Sequence, residues 1–414
     1  MLNKFFQGTK KKEAISWALY DFANSSYALL ILTFVFPIYF KEVIAGSAYG
    51  DFYWGLIGSI AILTAGLVAP VVGAIADYDA HRKRKFVLFA FLAILGTASL
   101  YFTGQNKLLL AAILFISTHF FFELALVIYD SFLIHVATPK ATGRISGLGY
   151  GLGYIGGLIA MFIFRPFYGG GYEGDLDNLY RLTFPLTALF FLIFAIPAFT
   201  FIKDEATKRK ESLINLAKIG FKNTFSTIKS FKKYKNVGWF LLASYFLNDA
   251  LVTLFSFISI YAKQTLSISI SELAIIFTII QLIAFPSTIF FGWLSDKKGS
   301  KKILLTTIVM WCFIVIALAT AKTKALFYPT AILTGFIIGS NQAIARSWLG
   351  KIVPKEKRCE FFGFNGFASK ISATIGPLVF GSISSFTGNQ RWAMLALLPF
   401  FVMSFIIFLK VKER

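Results

Sequence analysis

Apolar runs of about 20 residues recur from one end of the chain to the other, separated by short polar breaks. At a rise of about 1.5 Å per residue, each run is long enough to cross a hydrocarbon core about 30 Å thick. Twelve such segments are found, at 14–40, 52–76, 86–104, 108–136, 143–164, 179–202, 237–262, 272–295, 302–321, 325–349, 361–385 and 391–410. Each is expected to be helical, because backbone facing lipid has to satisfy its own hydrogen bonds. The alternating segments of about ten residues that a membrane barrel needs are absent. Only one polar connection is long, residues 203–236, and it divides the chain into six-helix halves at 1–202 and 237–414. Its apolar positions Ile214, Ala217, Phe221, Phe225 and Ile228 recur every three or four residues among lysines, which predicts an amphipathic stretch lying on the membrane surface.

Composition strengthens this reading. Of the 414 residues 57% are hydrophobic, 18% aromatic and only 15% charged, with a mean hydropathy of +0.70, which excludes an ordinary soluble domain. The formal charge of +21 would suggest nucleic acid in a soluble protein. Here its placement explains it differently. Of the 41 Lys and Arg, 31 lie in the two termini, the central linker and alternate loops, 8 lie in the opposite loops, and Arg346 and Lys370 fall within segments. By the positive-inside rule both termini are expected in the cytoplasm, with no nucleic-acid partner; short loops throughout, with no long lumenal domain, lead us to expect a bacterial-type cytoplasmic (inner) membrane. The N-terminus lacks the pattern of a removable signal peptide, so the first segment is expected to be retained. Cys312 and Cys359 stand apart and offer neither a disulfide framework nor metal spacing.

The halves share an element between their second and third segments. The first reads GAIADYDAHRKRKF and the second GWLSDKKGSKKILL; in each a glycine (Gly73, Gly292) precedes an aspartate (Asp77, Asp296) by four residues, and bases follow, Arg82 among them. A glycine permits close helix approach, and an aspartate there can accept from a helix N-terminus or a nearby base. The repetition of this loop in two six-helix halves resembles the major facilitator superfamily. WALYDFANSSYALLILTFVFPIYF, FLNDALVTLFSFISIYAK and GSNQAIARSWLGKIVPKEKRCEFFGFNGFASKISATIGPLVFG resemble, more narrowly, its vacuolar amino-acid effluxer-like branch, the autophagy-related effluxer type. The resemblance implies an all-α membrane protein of twelve transmembrane helices in two pseudo-symmetric halves. It also implies a central site faced by the first, fourth, seventh and tenth helices, with the signature loops (Gly73, Asp77, Arg82, Gly292, Asp296) acting as gates.

Ionisable residues inside the hydrocarbon are costly, roughly 2.5–3.5 kcal/mol on insertion scales, and are functional candidates by default. Asp249 and Lys370 lie about 16 and 14 Å into their segments by the helical rise. Glu123 falls about 22 Å from the far end of the fourth segment. Asp21 and Asn24 interrupt the first, whereas Asp130 and Arg346 sit near the interface. Whereas Asp130 and Arg346 read as interfacial residues, Asp21, Asn24, Glu123, Asp249 and Lys370, with Asn248, Asn341 and Gln342 from the seventh and tenth segments, form the expected substrate and proton pathway. Its acids are proposed to exchange protons and its bases to hold a carboxylate. The glycines of the fifth segment read as packing surface.

No G-x-x-x-x-G-K-[ST] loop is present for ATP, no H-E-x-x-H for zinc and no G-x-S-x-G elbow for a nucleophile. The expectation is therefore a monomeric secondary transporter, not an enzyme, that needs no cofactor and moves a small polar solute, amino acids first, by proton-coupled alternating access among membrane lipids. A lipid or amphiphile translocase on the same fold is the alternative.

Overall fold

The computed structural model describes residues 6, 9–46, 49–78, 81–137, 142–203, 215, 218–219, 221–222, 233–353 and 358–413; for residues 73–78, 134, 142–144, 289, 292–293, 296, 343, 346–347, 350–351, 358–360 and 362–363 within these it gives the backbone alone. The central linker's amphipathic positions Ile214, Ala217, Phe225 and Ile228 lie outside the described residues. Helices run α1 Lys11–Ile44, α2 Gly50–Tyr78, α3 Arg82–Ser99, α4 Leu108–Val136, α5 Thr142–Tyr168 and α6 Leu176–Phe201. After the linker come α7 Lys235–Leu266, α8 Ile270–Lys298 and α9 Ser300–Thr320. The last three are interrupted. They are α10 (Lys324–Ile337 and Ser340–Ile352), α11 (Arg358–Ser372 and Ile375–Thr387) and α12 (Gln390–Leu395 and Leu398–Lys410). The only β pairing among the described residues is a single bridge between Thr9 and Ala137.

Ten of these helices are long and apolar enough to cross a membrane, and α10 and α11 complete the twelve as broken spans. The break in α11 has a local cause: Pro377 has no N–H to donate, and its ring conflicts with the carbonyl of residue 373, where the helix stops. Helix α1 is irregular as well, with wider i→i+5 turns at Ala28–Phe34 and Phe40–Ile44 on either side of Pro37. Outward-facing residues are apolar, with Leu109 at 74% and Phe313 at 66% exposed, a surface stable only against lipid.

By packing, the chain forms two units, Met1–Tyr39 with Leu67–Lys222, and Phe40–Gly66 with Asn223–Arg414. In the first, α1 is seated against α5 and α6, and α3 against α4. Glycines make the α1–α5 approach possible. A Cβ at Gly156 would overlap the backbone of Phe22, and one at Gly153 would come within 2.7 Å of Ser25 Oγ. In the second unit α7 packs on α12, and α8 on α10.

Because the Gly156 neighbour is backbone and cannot rotate away, Gly156→Ala should lower stability by about 1–3 kcal/mol. Gly147→Ala on the same helix, with open space at its Cβ position, should leave the melting temperature unchanged. Equal melting of the two variants would show that α1 and α5 do not approach this closely.

Candidate functional site

The polar stretch of α1 faces protein, not lipid. Asn24 and Ser26 are buried, at 7% and 0% exposure, and Asn24 Nδ2 reaches Asp21 Oδ1 at 3.5 Å. Asp21 is partly buried against Gly149 of α5, where only a glycine leaves room for the carboxylate. An aromatic platform supports it. Trp17 and Tyr129 stack with ring centroids 4.7 Å apart and exchange hydrogen bonds, Trp17 Nε1 to the Tyr129 carbonyl and Tyr129 OH to the Trp17 carbonyl, both 3.0 Å.

In the same unit Glu123 of α4 lies 3.9 Å from Nε2 of His119, one turn earlier on the helix. His119 is 4% exposed and is flanked by the rings of Phe115, Phe122 and Tyr27. The Tyr27 hydroxyl is buried without a hydrogen-bond partner among the described residues. His119 and Tyr27 were not anticipated from sequence; the signal was the H-x-x-x-E spacing, which puts both side chains on one helical face. Of the signature-loop residues, Arg82 is described: it is buried, stacks over Phe132 and approaches His135 Nδ1 at 3.4 Å. The side chains of Asp77 and Asp296, and the surroundings of Gly73 and Gly292, lie outside the described residues, as does the Arg346 side chain.

In the second unit, Asn248 and Asp249 of α7 are the hydrogen-bond partners of the α11 break. Asn248 Nδ2 donates to the Ser369 carbonyl at 2.7 Å and to Ser372 Oγ at 2.9 Å, at the end of the first piece. Asp249 Oδ1 accepts from the Gly376 N–H at 2.9 Å, at the start of the second piece. Ser59 of α2 donates to the Thr374 carbonyl at 2.6 Å. Asp249 is fully buried and makes no ion pair with any described residue; its Oδ2 has no hydrogen-bond partner there. Asn341 of α10 is also buried: its Oδ1 accepts from Thr307 Oγ1 of α9 at 2.6 Å, while its Nδ2 has no partner among the described residues. Gln342 is exposed, and Lys370 is half-buried on the first piece of α11.

A further polar cluster went unread in the sequence. Lys41 Nζ and Asp51 Oδ1 form an ion pair at 2.8 Å, with the side chains 5% and 1% exposed. Asp51 Oδ2 accepts from Gln390 Nε2 at 2.8 Å and from the Ser384 hydroxyl. Gln390 is fixed in turn by Thr265, whose Oγ1 donates to its Oε1 at 2.7 Å. Phe52 N–H donates to Ser385 Oγ at 3.0 Å. In the sequence Lys41 reads as an ordinary loop-edge base, and its burial comes from the fold. Among the described residues no group of three or more His, Cys, Asp or Glu side chains converges as metal ligands.

Known membrane transporters match the chain in sequence and in fold. The family described as "Vacuole effluxer Atg22 like" matches residues 53–414. The chain belongs to this Atg22-like family. An MFS-type transporter of Bacillus subtilis, YxiO, itself uncharacterised, is 30% identical over 411 residues, 97% of this chain and 95% of that protein. Autophagy-related protein 22 of Yarrowia lipolytica is 24% identical over 310 residues, 66% of this chain and 51% of its own length. Among solved structures, the nucleoside transporter NupG superposes with a TM-score of 0.72 at 16% identity, covering 98% of this chain and 100% of NupG. A bacterial homologue of the lysosomal transporter Spinster, inward-facing and unoccupied, gives 0.67 at 15% identity over 96% of this chain and 95% of its own. These structural likenesses establish the major facilitator fold. This Atg22-like protein is thus a multi-pass MFS-type transporter and not an enzyme.

Two outcomes test the geometry of the Atg22-like chain. Asp249→Asn keeps an acceptor for the Gly376 N–H and should fold with nearly the parental melting temperature, whereas Asp249→Ala orphans that donor and should cost about 1–3 kcal/mol. Loss of the same size in both variants would remove the capping role. At the second cluster, Lys41→Met or Asp51→Leu alone should cost about 3–5 kcal/mol, because each leaves a buried charge without its partner. The double variant should lose less than the sum of the two. Strict additivity in melting experiments would mean that the ion pair is not formed.

Proposed function

We propose that the protein moves a small polar solute, amino acids first, by alternating access driven by protons. The observation that carries this reading is the Glu123–His119 pair, two proton-exchanging groups 3.9 Å apart inside a membrane-spanning helix. At 3.9 Å the carboxylate and imidazole are one small side-chain rotation, or one bridging water, away from proton transfer, and a neighbouring buried Tyr27 hydroxyl adds a polar group on α1. Asp21 and Asn24 lie on that same helix. The family name supports effluxer activity, and amino acids suit the division of charge. Asp21 and Glu123 supply carboxylates, and Lys370 and Asn341 supply an ammonium and an amide donor. A zwitterion carries one group for each.

On this reading the signature-loop residues Gly73, Asp77, Arg82, Gly292 and Asp296 act as gates. Gln342 lines the pathway, and the protein works as a monomer in the cytoplasmic membrane with both termini inside. The positive-inside distribution of Lys and Arg supports the orientation.

The test is transport in proteoliposomes loaded with radiolabelled amino acids. An imposed pH gradient should accelerate flux through the parent protein. Glu123→Gln should abolish the response to the gradient while leaving solute exchange without a gradient within about tenfold of the parent. A Gln variant that responds to the gradient as the parent does would remove Glu123 from the coupling. No amino-acid flux in any condition would remove the cargo.

A further inference from the structure

Other described arginines, Arg181 and Arg391, are held by protein groups. Arg181 pairs with Asp177 at 2.8 Å and donates to the carbonyls of Tyr101 and Thr103. Arg391 donates to the carbonyls of Ala319 and Ala321. Arg84 is different. It is exposed and has no hydrogen bond, ion pair or ring contact with any described residue. It lines a cleft of about 550 Å³ together with Lys83, Val87, Leu88 and Phe91.

Three further features give this cleft a chemical preference. First, Arg84 stands on the opening turn of α3, where no side chain caps the helix and the first turn holds no acid. The positive end of the helix dipole favours an anion there. The contrast is α8, which opens with a complete Ser269–Glu272 capping box. Second, the rim is cationic and fixed. Lys83 Nζ donates to the Thr200 carbonyl at 3.1 Å, at the end of α6, and the Lys12 ammonium sits 3.7 Å above the Phe201 ring. Third, positions 84, 88, 91 and 95 recur on one face of α3, and Leu88, Phe91 and Leu95 are 51%, 43% and 47% exposed. The guanidinium therefore heads an apolar stripe that faces the bilayer.

We propose that this cleft binds an anionic phospholipid from the leaflet on the side of the chain's N-terminus. Arg84 and Lys83 hold the phosphate, and one acyl chain lies along Val87, Leu88 and Phe91. Charge above and hydrocarbon below match a lipid, whereas a soluble anion would use only the upper part.

Native mass spectrometry of the purified protein with phosphatidylglycerol or phosphatidylcholine tests the assignment. The parent should retain phosphatidylglycerol in preference to phosphatidylcholine, and Arg84→Gln should reduce that preference about fivefold, the effect of one basic residue at an anionic surface. Arg84→Lys should keep most of it. Lys107→Gln, a basic residue on the opposite side of the membrane, should not change it. Phe91→Ala should shorten phosphatidylglycerol retention without altering the headgroup preference. Equal phosphatidylglycerol retention by parent and Arg84→Gln would overturn the site. Displacement of the lipid by inorganic phosphate alone, with no effect of Phe91→Ala, would overturn the lipid in favour of a bare anion.

Discussion

A backbone donor or acceptor that leaves a helix inside a bilayer has no water to turn to, and this constraint shapes the second unit. The ten continuous spans satisfy themselves. The two broken ones solve the problem differently. In α10 the repair is local: Ser340 Oγ donates to the Ile337 carbonyl at 2.8 Å, and the Ile338 N–H still reaches Thr334 at 3.0 Å. In α11 the repair comes from other helices, through Asn248 and Asp249 of α7 and Ser59 of α2. A break repaired locally can form wherever its helix goes. One repaired by neighbours ties three helices together at that depth.

The same rule governs side chains. Asp21, Ser25 and Asn24 are tolerated in α1 because the opposing surface of α5 is built from glycines, which bring backbone close enough to shield and support them. Replacing the polar groups of α1 by larger apolar ones would collide with that surface, and enlarging the glycines would strand the polar groups. Neither sequence feature has its meaning alone. This also explains why the glycine-rich run of α5 reads correctly as packing, although the partner it packs against is the polar stretch that looked most like a site.

What was legible in the sequence follows from how local each signal is. Spans were readable to within a few residues because a run such as Leu108–Val136 has only to be apolar for its own length. The repeated Gly73–Asp77 and Gly292–Asp296 loops and the blocks around Tyr20–Tyr27 carried the family, since each is contiguous. The break in α11 was harder: Pro377 announces a kink, but most prolines in these helices, Pro70 and Pro185 among them, are accommodated without interrupting the helix. Lys41 and Asp51 were invisible as a pair because each is an ordinary loop-edge charge, and their burial depends on Ser384 and Gln390 more than 330 positions later. His119 has its clue in Glu123, one turn away on the same helical face.

The position of Asn248 directly before Asp249 carries a last consequence. A helix break frees two kinds of group: carbonyls on the piece that ends and N–H groups on the piece that begins. One needs a donor and the other an acceptor. Neighbouring residues on a helix point about 100° apart, so two adjacent side chains can diverge toward the two sides of a gap no longer than a turn. An amide followed by a carboxylate supplies both polarities from one turn of α7, with the Asn amide turned to Ser369 and the Asp oxygen to Gly376. The carboxylate that looked like an isolated charge in oil is half of a pair whose other half is its own chain neighbour. Its second oxygen, buried and without a hydrogen bond to any described residue, is the part of that pair which the fold alone does not use.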